Sequence, residues 1–158
     1  MADISAFPTI PQIVEYLGTT STFIATAAIT QGQVVAISAT GVSDNVVASV
    51  AESGGRPVGV AITSQATAGG KVSVAMLGSI VRVAIADDTT GADAGDLLET
   101  NDCAVKGTVS AASEAATGGA TVTTHPQVVG VALDVIAGGS YGRMLVLAPT
   151  YAVQANSS

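Results

Sequence analysis

His125 and Cys103 are the single histidine and the single cysteine of a 158-residue chain. Nucleophilic catalysis would need one of them, or a serine, held beside a base by a defined local turn. His125 instead precedes Pro126 in a Thr-rich stretch, and neither a nucleophile elbow nor a cysteine-protease pattern is present. A loop histidine is the expected reading. One imidazole and one thiol cannot assemble a transition-metal site without carboxylates, and a lone cysteine forms no intrachain disulfide. The acidic run ADDTTGADAGD, residues 86–96, is the best ligand candidate, because Asp87, Asp88, Asp93 and Asp96 offer oxygens to Ca²⁺. Its spacing fits neither an EF-hand loop nor the calcium nonapeptide, and Asp with Gly populates turns for backbone reasons alone. A turn is therefore expected. No spacing fixes a pair of hydrolytic carboxylates, and Gly54-Gly55 lacks the lysine and hydroxyl of a phosphate loop. The sequence thus nominates no catalytic residue, no cofactor and no metal ligand, and the chain is expected not to be an enzyme.

Nor does the charge suit nucleic acid. Lys and Arg number five, Arg56, Lys71, Arg82, Lys106 and Arg143, all scattered, against twelve acids and a formal net charge of −7. Phosphate binding needs basic residues clustered on one surface. Charged residues make up 11% of the chain, well below the usual ~25%, which favours a surface that lies against other protein. The opening MADISAFPTI lacks the basic and apolar regions of a signal peptide. The longest apolar candidate, residues 72–86, is interrupted by Ser73, Gly78, Ser79 and Arg82 and alternates like a strand, so no membrane partner is expected.

The elements that must position any surface follow from periodicity. In the first twenty residues Ile10, Ile13, Val14 and Leu17 fall at helical spacing, Thr9 with Gln12 has a capping-box separation, and Gly18 can end the segment. This predicts a short helix over about 10–17 in an N-terminal arm, residues 1–20. From Ser21 onward the period is two, with turn signals every ten residues or so. Strands are expected at 22–29, 33–39, 45–50, 57–63, 71–77, 79–86, 96–99, 103–105, 128–134 and 142–149. They form an all-β domain over 21–150, a small Gly/Val/Ala-rich barrel or sandwich, followed by a tail at 151–158. Its core is unusual, since 28 Ala and 22 Val outnumber two Phe, three Tyr and no Trp. Small and β-branched side chains suit thin, closely approaching sheets.

The chain also repeats itself. PVGVAITSQATAGGKVSVAML, residues 57–77, is echoed by VVGVALDVIAGGSYGRMLVL, residues 128–147, so that Gly59 aligns with Gly130 and the triplet Ala68-Gly69-Gly70 with Ala137-Gly138-Gly139. Upstream, the Gly32 segment has a looser counterpart at Gly95. Gly59 and Gly130 sit inside strand patterns, where glycine permits a bulge, a bend or a close backbone approach. Two strand–turn–strand units around one core are expected. The stretch 105–126 is inserted in the second copy and reads as a long surface loop or hairpin, with a short helix over 111–116 as the less favoured alternative.

These residues carry a family resemblance. Gly32-Gln33-Val34-Val35, Pro57 to Ile62, Ala68 to Val74, Gly78, Ala94-Gly95-Asp96-Leu97, Val128 to Leu133 and Val146 together resemble the capsid decoration, or head-cement, proteins of tailed viruses of bacteria and archaea. The likeness spans about residues 25–148. It implies a compact β protein, usually a homotrimer, made in the host cytoplasm and seated on the outer surface of an icosahedral capsid. There it bridges neighbouring subunits of the major capsid protein without catalysis. Another virion or surface β-module, such as a tail-tube, spike or adhesin component, is the alternative. Capsid or intersubunit contact is expected from the arm residues Phe7, Ile10, Ile13, Tyr16 and Leu17, a large share of the chain's bulky apolar groups.

Overall fold

The structure, a computed structural model, describes residues 14–37, 46–49, 57–85, 91–100, 107–111 and 127–151. Its described residues are all-β: β1 (Val14–Tyr16), β2 (Thr20–Ala25), β3 (Val34–Ile37), β4 (Val46–Ser49), β5 (Pro57–Ala61), β6 (Lys71–Ala75), β7 (Ile80–Ala84), β8 (Leu97–Glu99), β9 (Ser110–Ala111), β10 (Gln127–Ala132) and β11 (Tyr141–Tyr151). Strands β2-β4-β3-β5-β6 close a barrel, while β1-β7-β11-β10-β8-β9 form a six-stranded sheet.

That sheet is the first barrel written again. In the first unit β2 pairs with β6, β6 with β5, β5 with β3 and β3 with β4, and a parallel β2–β4 pair closes the ring. The second unit runs β7–β11, β11–β10, β10–β8 and β8–β9, and the parallel bridge Ile85↔Val109 stands where β2 meets β4. Connections match as well. Reciprocal bonds join Ile29 to Gln65 and Ala92 to Ile136, while Gly32 N donates to Ala61 O as Gly95 N does to Ala132 O. The expected duplication is therefore a duplication of the whole pairing pattern: one parallel bridge brings the six-stranded sheet round into a second barrel, and β5 and β10 occupy equivalent places in the two.

The two glycines that announced it have one physical role. Opposite β3, Gly59 faces Val35 while Pro57 faces Ala36, which leaves Val58 as an extra residue; opposite β8, Gly130 faces Leu98 while Val128 faces Glu99, which leaves Val129. Each glycine thus adjoins a bulge, the device that bends a strand around a barrel. A Cβ on Gly59 would press on Ala75 O and come within 2.9 Å of Val74 Cγ1, and one on Gly130 would lie 2.5 Å from Leu145 O. The AGG triplets need a correction. The left-handed residues are Gly69 (φ 87°) and Gly139 (φ 72°), so Gly69 corresponds to Gly139 and not to Gly138. The second connection is one residue shorter, and positive φ fixes which glycine is equivalent to which.

The N-terminal expectation is corrected too. Val14–Tyr16 is a strand on the edge of β7, not the last turn of a helix over 10–17. A helix of eight residues is marginal alone, whereas the β7 edge offers ready ladder partners. Residues 10–13, with Phe7, lie outside the described residues. So do Cys103, His125, Asp87, Asp88, the strand expected at 103–105 and most of the 105–126 stretch. Its described part holds the short strand β9 at Ser110–Ala111, where a loop or hairpin, or alternatively the start of a helix, was expected.

Alternation sets two apolar layers. Phe23, Ala25, Ile29, Val35, Ala61, Val72 and Val74 fill the first barrel. The opposite faces of the same strands, Val34, Ala36, Val60 and Ala75, join a second core with the interior of the second barrel, including Leu98, Ile136 and Met144. Strand β5 packs against β10 and β11, and Val34 N donates across to Gly107 O at 2.8 Å.

Candidate interaction surface

The outer face of the second barrel carries an unbroken apolar row. Leu97 pairs with Val131, Val131 with Leu145, Leu145 with Ile80, and Ile80 with Tyr16, so five strands contribute one side chain each to a line across the sheet. These positions alternate with the buried Leu98, Ala132, Met144 and Val81 and therefore point outward. Leu97 is 47% exposed and Tyr16 61%, with Val131, Leu145 and Ile80 partly buried between them. Tyr16 reaches the row because β1 bulges. Val14 opposes Val81 and packs on the core, Tyr16 opposes Ile80, and Glu15 is the extra residue.

A row of charges runs alongside. Arg143 and Arg82 are direct cross-strand partners, a like-charge pair that would repel if left alone. Asp134 neutralises one end, accepting from Arg143 Nε at 2.8 Å and from Arg143 Nη2. Glu15 holds the other, 3.5 Å from Arg82 and 3.4 Å from Arg143. The Arg143 hydrogen bonds lower the Asp134 pKa below its ordinary 3.8, and Asp134 in turn raises the Arg143 pKa. An apolar line flanked by paired, half-exposed charges has the make-up of a protein contact: a water-excluding centre and a polar rim that includes Arg.

The equivalence of the barrels also isolates where the second has turned polar. The pair Ala36↔Ala48 of the first barrel is Glu99↔Ser110 in the second, and Ile37 and Val46 correspond to Thr100 and Thr108. All four replacements are buried, Glu99 at 3% exposed.

The residues nominated from sequence divide accordingly. Tyr16 and Leu17 are exposed, Tyr16 at the end of the row. Asp96 serves its own turn: its Oδ2 accepts from Asp93 N at 2.8 Å, as Gln33 Oε1 accepts from Thr30 N in the first barrel. Among the described residues no group of three or more His, Cys, Asp or Glu is placed to hold a metal ion. The row itself was missed from sequence because its members come from five strands. Only the pairing register brings them together.

No protein-family model matches this chain, and no curated protein does. A solved structure does: the N base of the head fiber protein gp8.5 of bacteriophage phi29, 21% identical, superposes with a TM-score of 0.53 over 86% of this chain and 98% of that one. The two share their fold.

Proposed function

We propose that this chain is a structural virion protein that binds the outer surface of an icosahedral capsid and stabilises it by bridging neighbouring subunits of the major capsid protein. One observation carries the reading: the duplicated barrel superposes on nearly the whole of a part described as a phage head fiber base. The low charge density and the apolar row support it, because attachment of this kind relies on many weak contacts repeated by symmetry rather than on a pocket. In this reading the protein acts as a homotrimer and engages neither nucleic acid nor membrane.

A second reading, the base of a fiber or spike, is favoured by the same neighbour, itself the N base of a head fiber. Copy number separates the two. Quantitative mass spectrometry of purified particles is expected to find the chain at hundreds of copies, present at a fixed ratio to the major capsid protein. A few tens of copies would favour the fiber base. Absence from particles would sink both. Electron cryo-microscopy of the same particles tests the placement, and a map with isolated single copies would overturn the trimer.

A further inference from the structure

The two barrels of one chain are folded alike but covered differently. In the first, the outer row Val34, Val60 and Ala75 is fully buried, because the second barrel lies on it. Pairing register makes Leu97, Val131 and Leu145 the equivalents of these three, and here Leu97 is exposed and Val131 and Leu145 are only partly buried, with leucines in place of Val34 and Ala75. The complementary end shows the reverse. Val129 and Val146 of the second barrel are 3% and 1% exposed within the joint core, while their equivalents Val58 and Met76 are only partly buried and the adjoining Leu77 is 53% exposed. The contact inside the chain is therefore heterologous: an outer face of one barrel is buried in the same core as the bulged end of the next. Among the described residues one face and one end are left over, both apolar.

We propose that a second copy of this chain docks head to tail, its Val58–Met76–Leu77 end seated on the Leu97–Val131–Leu145 row. The occupant is indicated by the chain itself, which already covers the equivalent row with a barrel of the same fold. Solvent-facing rows of a sheet are ordinarily polar, and a contiguous apolar line is the kind of surface that a protein contact covers. Charge does not oppose the approach: Val58, Met76 and Leu77 are uncharged, and beside the row Arg82 and Arg143 are balanced by Glu15 and Asp134. A heterologous contact of this kind closes into a ring or propagates as a filament, according to its rotation. The interface stands apart from the virion reading, since it is a property of the purified chain.

The test is carried out on the full chain in solution. Sedimentation velocity over a range of concentrations is expected to show reversible association. Leu145→Asp and Leu97→Asp are each expected to weaken it by about a hundredfold and leave the melting curve of the dilute monomer in place. In a Cys103→Ser background, the double variant Met76→Cys/Leu97→Cys is expected to give interchain disulfides extending beyond the dimer, with neither single variant doing so. Several results would overturn the proposal. They are a monomer at every concentration, association insensitive to both aspartates, or a Leu97→Cys dimer that indicates a face-to-face contact. A monomer melt lowered by the aspartates would do so too, by showing that another part of the same chain covers the row.

Discussion

Gly59 and Gly130 show how a single residue type becomes compulsory without any unusual backbone angle. Neither has a positive φ; the constraint is the carbonyl of the neighbouring strand, Ala75 O in one case and Leu145 O in the other, standing where a side chain would begin. Gly59→Val and Gly130→Val are each expected to destabilise the protein by about 1–3 kcal/mol in denaturant titrations, through overpacking at a bulge that cannot move without opening its barrel. An unchanged midpoint in either variant would mean that the strands can separate there at little cost. Asp134 makes the second prediction at this scale. Its pKa is depressed by Arg143, so its contribution is complete above the ordinary 3.8 and is lost as pH falls through the lower folded value. Asp134→Asn is expected to flatten the acid limb of the stability curve below about pH 4. The effect is small and salt-sensitive, because both partners are more than a third exposed.

At the scale of elements, most strands were legible because alternation survives in them. Lys71-Val72-Ser73-Val74 and Ile80-Val81-Arg82-Val83 bury every second residue before each strand ends on a buried alanine, and expectation and structure agree within a few positions. The duplication was legible through Gly59 and Gly130, which are two of its geometric requirements. Three things were not. Strand β1 carries a helical spacing of apolar residues, and what makes Val14–Tyr16 a strand is the distant β7 edge, which local sequence does not contain. Strand β9 is two residues long, below the length at which a period can be seen. The open row depends on register across five strands. Deleting residues 1–16 tests the assignment of β1. The loss of Val14 from the core and of Glu15 from Arg82 and Arg143 is expected to lower the melting temperature by about 5 °C while the two barrels stay folded. A fall of tens of degrees would show that the first segment is integral to the core, and no change would show that β1 adds nothing.

At the scale of the whole molecule, a consequence follows from strand β7 lying between β1 and β11. Both neighbours run antiparallel to β7, so they are parallel to each other, and a pull on Val14 opposed by a pull on Tyr151 loads the two ladders in shear. Hydrogen bonds in such a ladder lie across the strands and resist together instead of parting one after another. The first barrel lies in sequence between β1 and β7, and it bears no tension until β1 slips. The two registered pairs of β1, with Glu15 gripping both arginines, would thus act as a mechanical latch that shields the first barrel from load. Optical-tweezer extension of the chain is expected to show two rips, a low-force release of β1 that exposes the first barrel, then a larger opening. Glu15→Ala is expected to lower the force of the first rip alone. A part fixed at one place and tugged at another would gain from yielding in stages, with a short strand giving way early and able to rebind when the strain relaxes.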